Sequence, residues 1–232
     1  MWKKLVSYYK RNPFLYTLEA ITLVLILSTG ILFKQTAFRM LPLCISLLVM
    51  FLQANVNRYN FLLGGCNSIL YAIAYFSLGL PSQALYALLF SFPLQLLSFL
   101  NWKRKADGTS TRLLRMPLRL RMLLGGGVAA LILGLCVIYL ALFDYENGWA
   151  LAMMILDNTV SVVGIAATAL MLLRFVEYAP LQITGLICSL TIYFIKLPTE
   201  PEQITFIIYS VYAMICASMA IRNMRKRYLA QQ

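Results

Sequence analysis

Two groups of residues share a spacing suited to holding a polar solute. Ser91, Gln95, Ser98 and Trp102 follow i, i+4, i+7, i+11, and Asp157, Ser161, Gly164 and Thr168 repeat the interval. On a helix each group falls on one face. Amides, hydroxyls and an indole can hydrogen-bond and stack on a flat molecule. Asp157 alone could serve as a general base. The wider catalytic repertoire is missing, because the chain contains no histidine. That excludes Ser-His-Asp and Cys-His nucleophiles, HExxH zinc sites and haem histidines. The cysteines, Cys44, Cys66, Cys136, Cys188 and Cys216, are odd in number and each lies within an apolar run. They read as small hydrophobes rather than a disulfide framework or metal ligands, so neither metal nor cofactor is expected.

The elements that must position these residues are membrane helices. Of 232 residues 61% are hydrophobic and 12% charged, and the mean hydropathy is +0.78, whereas a soluble domain carries roughly a quarter charged residues. With about 20 apolar residues per span, the sequence predicts eight: 14–33, 40–56, 61–80, 83–102, 122–143, 150–173, 179–197 and 203–222. The first follows a basic start but lacks a small-residue cleavage site, so it is expected to remain. Breaks fall at "RYN", "LPS", "DYENG" and "LPTEPEQ", where polar residues, Pro and Gly interrupt helices. A net charge of +12 would fit nucleic acid, but the basic residues lie between apolar runs, with no aromatic-interleaved stripe. No nucleic-acid partner is expected. If the N-terminus is inside, seventeen Lys and Arg fall on the cytoplasmic side and three, Lys34, Arg39 and Lys196, outside. Both termini are therefore predicted to be cytoplasmic.

Counting ~1.5 Å per residue from Gln83 places Gln95 about 18 Å deep, near the middle of a ~30 Å core. A carboxylate such as Asp157 costs about 2.5–3.5 kcal/mol within a span and usually faces protein or water. Thinner polar lines join Asn67, Tyr71 and Tyr75; Gln182, Ser189 and Tyr193; and Tyr209, Tyr212 and Cys216. Together they predict a central cavity of amides, hydroxyls and rings with one acid. The plainer alternatives are helix–helix hydrogen bonds for Ser91, Ser98, Asn67 and Gln182, interfacial anchoring for Trp102 and a kink at Pro93. Arg174 and Glu177 are expected to pair at a helix end, and "GGG" at 125–127 to mark a close helix contact rather than a phosphate loop.

The basic segment 103–121 and span 122–143 separate three helices from three more. One linking helix restores the chain direction, so the triplets should run parallel, as in SWEET-type carriers. The expected fold is all-α integral membrane: a seven-helix 3+1+3 parallel-repeat core plus an extra N-terminal helix. Its parts are 1–39 (extra helix), 40–102 (first bundle), 103–143 (basic loop and linking helix), 150–222 (second bundle) and 223–232 (basic tail).

"QLLSFLNW" (95–102) resembles the Gln-x-x-Gly-Trp-x-x-Trp signature of the Pnu vitamin transporters, "LDNTVSVVGIAATALMLLRFVE" (156–177) is similar to their second-half pattern, and "RYNFLLGG" (58–65) to their Asn-Tyr-x-x-Gly entry. The resemblance spans roughly 40–222. It implies a SWEET-related fold and a facilitator of nicotinamide riboside, or of thiamine, riboflavin or a deoxynucleoside, trapped by cytoplasmic phosphorylation. It further implies a homotrimer in contact with membrane lipid, multi-pass in a bacterial cell membrane. By position, Gln95 would hydrogen-bond the substrate, Phe99 and Trp102 would supply aromatic surface, and Asp157 would meet a sugar or amine. Ser98 and Phe99 replace the expected Gly and Trp; Ala179 and Gln182 stand where two further tryptophans belong. The candidate substrate-binding residues are thus Gln95, Phe99, Trp102, Asp157, Ser161, Asn67, Tyr71, Gln182 and Tyr212, and the protein is not read as an enzyme. The competing readings are a membrane-embedded transferase with Asp157 as base, and a non-transporting sensor whose basic loop docks anionic lipid.

Overall fold

The computed structural model describes residues 13–104, 106–107, 110–142 and 148–231. The basic stretch before Pro13, Lys105 and most of the "DYENG" break lie outside the described residues. Eight long helices account for nearly all of the rest. They are α1 (Pro13–Leu32), α2 (Ala37–Ala54), α3 (Tyr59–Ser77), α4, α5 (Leu118–Leu142), α6 (Gly148–Leu172), α7 (Tyr178–Lys196) and α8 (Ile204–Leu229). Helix α4 has three consecutive parts: Pro81–Leu85, a π-helical turn Tyr86–Ser91, and Phe92–Arg104. A two-residue hairpin pairs Ala106 with Thr111 and Asp107 with Ser110.

Seven of these helices are long and apolar enough to cross a membrane. The eighth, α3, meets the length, but Asn60, Asn67 and three tyrosines dilute its apolar character. Eight spans are expected from the sequence; eight long helices are present and seven of them qualify by length and composition. Boundaries shift by a few residues, most at α8, which runs on to Leu229 although the apolar ruler stops at 222. Arg222 to Arg227 end the hydrophobic run without ending the helix, since Arg and Lys are good helix formers.

Six helices close a ring. Each of α2, α3, α4, α6, α7 and α8 packs on the next, and α8 returns to α2. Helix α1 lies outside against α2 and α8, and α5 leans on α6. Helix α5 buries none of its residues, and a Cβ on Gly125, Gly126 or Gly127 would meet open space. Among the described residues, the expected close helix contact at "GGG" is not made.

Local chemistry sets the helix ends. Pro81 opens α4, where a missing N–H is harmless. Helix α2 ends in a Schellman motif, in which Val56 N–H bonds Gln53 O at 2.8 Å and Asn57 N–H bonds Leu52 O at 3.0 Å, with Val56 in the left-handed region at φ 52°. Its last carbonyls are also met from α8: Asn223 donates to Ala54 O at 2.7 Å, and Arg227 to Asn55 O at 2.9 Å and Val56 O at 3.2 Å. Positive groups at a helix C-terminus are favoured by its dipole.

Candidate functional site

The ring surrounds a cavity of ≈ 210 Å³ to which all six of its helices contribute. Helix α2 presents Ser46 and Gln53, α3 presents Asn60, Asn67, Ser68, Tyr71 and Tyr75, and α4 presents Tyr86, Ser91 and Gln95. Opposite them stand Gly164 and Thr168 of α6, Gln182 and Ser189 of α7, and Tyr209 of α8. None of the lining residues is Asp, Glu, Lys or Arg.

A tight network organises this lining. Ser68 donates to Gly64 O at 2.9 Å, Ser68 and Ser91 share a 2.8 Å contact, and Gln95 Nε2 donates to Ser91 Oγ at 2.7 Å and Ser68 Oγ at 3.3 Å. Asn67 Nδ2 donates to Pro42 O and Ser46 Oγ, both at 2.9 Å. Tyr86 and Thr168 bridge α4 and α6 at 2.9 Å. Thr168 already donates to Gly164 O at 2.6 Å, so the bridging proton is the tyrosine's. Gln53 and Gln182 hydrogen-bond each other reciprocally, joining α2 to α7. Two glycines make room: a Cβ on Gly164 would lie 2.7 Å from the Tyr86 ring, and one on Gly64 would collide with Gln95 Oε1.

Of the nine residues selected from the sequence, Gln95, Asn67, Tyr71 and Gln182 line the cavity. The other five are placed elsewhere. Trp102 is 2% exposed, edge-on to Phe61 at 4.6 Å, and its indole N–H donates to Met171 O at 2.8 Å. Phe99 packs on the same apolar cluster and lies 5.7 Å from Tyr59. Asp157 accepts the backbone N–H groups of Ser82 at 3.0 Å and Gln83 at 3.3 Å, which makes it a cap for the first turn of α4. Ser161 back-bonds to Asp157 O at 2.8 Å, and Tyr212, 1% exposed, donates to Leu47 O at 3.1 Å. Of the two residues expected to converge on one chamber, Gln95 lines the cavity and Asp157 does not. Arg174 and Glu177, expected to pair, have other partners. Glu177 pairs with Arg121 at 2.9 Å and accepts Met116 N–H at 3.2 Å, while Arg174 donates to Arg112 O.

Sequence reasoning does not reach Ser46, Gln53, Asn60, Ser68 and Tyr86, while Tyr75, Ser91, Thr168, Ser189 and Tyr209, named on its polar faces but not selected, also line the cavity. Ser46, Met50 and Gln53 form an i, i+4, i+7 line on α2 that the sequence carries openly. Tyr86 is harder to find: it stands five residues before Ser91, an interval that shares a face only in a π-helical turn. Among the described residues no three His, Cys, Asp or Glu side chains gather as a metal site would require. The cavity can therefore bind a small molecule through neutral hydrogen bonds and ring faces.

A family model described as "Nicotinamide mononucleotide transporter" matches residues 36–223. No curated protein matches the chain. A solved structure, "Crystal structure of the Vitamin B3 transporter PnuC", shares the fold with a TM-score of 0.77 and 16% identity, covering 97% of this chain and 99% of that one.

Proposed function

The chain belongs to the nicotinamide mononucleotide transporter family, and from that premise we propose that it is a facilitative carrier of a vitamin B3-type solute, nicotinamide riboside. The observation that supports this most is the ≈ 210 Å³ cavity between the six ring helices, whose lining carries amides and hydroxyls but no charged side chain. A phosphate dianion placed there would meet no cation, and burying an unpaired charge is expensive. The riboside is thus the better passenger, with trapping by phosphorylation left to a cytoplasmic enzyme. Gln95, Asn67, Tyr71 and Gln182 are its proposed contacts.

Transport proceeds by uniport, with α2–α4 and α6–α8 as parallel three-helix units that rock about the cavity, α5 as their link and α1 as an addition outside the ring. Both termini and segment 103–121 face the cytoplasm of a bacterial cell, and the working assembly is a trimer in the membrane. The test is counterflow in proteoliposomes with nicotinamide riboside, thiamine, riboflavin and thymidine. Exchange of the riboside is expected, and exchange of none of the four overturns the reading.

One observation favours a second reading, a different vitamin or nucleoside. Phe99 and Trp102 turn to the apolar cluster, and Ala179 and Gln182 carry no ring, so the aromatic surface left to the cavity is tyrosine: Tyr71, Tyr75, Tyr86 and Tyr209. A wall with weaker stacking and more hydroxyls shifts selectivity toward a more hydrogen-bonding passenger, and thymidine or riboflavin outrunning the riboside in the same assay would identify it.

A further inference from the structure

The cavity wall has a hydrogen-bonding polarity that no family membership states. Only one placement of protons makes all of the bonds around Gln95 at once. Gly64 O can only accept, so the Ser68 hydroxyl proton lies on it. The 2.8 Å contact between Ser68 and Ser91 then requires the Ser91 proton. Both serine oxygens are left as acceptors, so the Gln95 atom facing them at 2.7 and 3.3 Å must be the amide nitrogen. This fixes which way the amide points by chemistry rather than by atom assignment. Its oxygen is turned toward Gly64, whose lack of a side chain leaves the space open. Asn67 repeats the logic for its amide orientation: its Nδ2 faces the Pro42 carbonyl, which cannot donate, and its Oδ1 is buried without a partner. The protons of Ser68, Ser91, Thr168 and Tyr86 are committed to other groups of the wall, whereas the buried Tyr71 hydroxyl has no partner.

We propose that the Gln95 side of the cavity selects for a hydrogen-bond donor on its ligand: Gln95 Oε1, locked as an acceptor by Ser68 and Ser91, receives an N–H or O–H of the solute. Gln95 is the specificity-determining residue, and Ser68 and Ser91 are positioning residues that hold its amide in one orientation. The inference rests on the transporter reading only for the nature of the passenger. The donor belongs either to an amide or imide edge or to a sugar hydroxyl, and these have the same meaning for the wall.

The experiment measures ligand-induced shifts in melting temperature of the full chain in detergent, since a bound ligand stabilises by mass action. One arm compares nicotinamide riboside with its N,N-dimethylcarboxamide analogue, and thymidine with 3-N-methylthymidine; the other uses the same nucleosides with O-methylated sugars. Blocking the donor that Gln95 receives is expected to weaken binding by about 10-fold or more, as when a buried polar group loses its partner. In Gln95→Met the blocked and unblocked ligands should bind within about 3-fold of each other. The Ser68→Ala, Ser91→Ala double variant, whose amide can rotate, should lose most of the discrimination while still binding ligand. Purely structural serines would lower both affinities together and leave the ratio intact, which overturns the positioning role. Equal binding of blocked and unblocked ligands by the parent chain overturns the proposal even if flux is intact, and discrimination without flux in proteoliposomes overturns the carrier reading alone. Absence of any shift with all probes overturns both.

Discussion

The two ends of the ring are held together by different chemistry. At the Trp102 end the seal is apolar: Trp102, Phe61, Tyr178, Leu113, Met116, Met171 and Met224 form one buried cluster. Segment 112–117 feeds Leu113 and Met116 into it and is tied down by backbone bonds, Leu114 N–H to Arg174 O and Val176 N–H to Leu114 O, both 3.0 Å. At the Lys196 end polar groups do the work. Asp157 caps α4, Ser82 donates to Asn158 Oδ1 at 2.8 Å, Lys196 donates to Leu78 O at 2.6 Å, and Arg39 bridges Ser77 and Glu202. An apolar plug loses its whole contact area when it parts, whereas polar bonds can be exchanged one by one for water. On that physical ground the Lys196 end is expected to be the cheaper one to open.

Breaking the apolar seal should have the largest consequence. Trp102→Ala removes a fully buried indole and leaves Met171 O without its donor, so a loss of about 3–5 kcal/mol is expected, read as a fall in melting temperature in detergent. Trp102→Phe keeps a ring and isolates the hydrogen bond at about 1 kcal/mol. Near-wild-type stability of Trp102→Ala would mean that the cluster does not hold this end.

Asp157→Ala attacks the other end. Two N–H groups at the start of α4 lose their side-chain acceptor, for about 1–3 kcal/mol, and the turn they belong to is freed just before the π-helical segment. Because Asp157 does not line the cavity, ligand affinity should remain within about 2-fold of wild type, well under the cost of a lost buried hydrogen bond, while the exchange rate changes. A large loss of affinity with unchanged exchange would return Asp157 to the binding site.

These two residues also show how far the sequence could be read. Periodicity placed Trp102 and Asp157 on the inward faces of α4 and α6, and inward they point. What a spacing rule does not encode is how far along each face the void extends. In α4 the cavity takes Ser91 and Gln95 and passes over Ser98 and Trp102; in α6 it takes Gly164 and Thr168 and passes over Asp157 and Ser161. The fold was more legible, because span length and charged breaks are local properties. The closed ring depends on which helices meet, and the docking of 112–117 depends on Leu113 and Met116, two apolar residues inside a basic stretch that reads locally as a solvated loop.

The docked segment offers a gentler test of the apolar end. Glu177→Gln weakens the pair with Arg121 and one of the two acceptors for Met116 N–H, for about 1 kcal/mol. The seal should persist but open more often, so trypsin should cleave at the exposed Arg112 and Arg115 several times faster, by the factor of ~5 that this energy implies. Unchanged cleavage would show that Leu113 and Met116 alone hold the segment.

The smallest effect is expected from Arg39→Ala at the polar end. The Arg39–Glu202 pair spans 3.2 Å with side chains 23% and 28% exposed, and pairs so open to solvent contribute about 0.2–1 kcal/mol and weaken with salt. Arg39 also donates to Ser77 O at 2.9 Å, a bond that added salt screens less. If Arg39 and Glu202 latch the polar end, Arg39→Ala should speed exchange at low ionic strength and approach wild type as salt rises, whereas Trp102→Phe should show no such salt dependence. Equal salt responses from the two variants would erase the distinction between an ionic and an apolar seal.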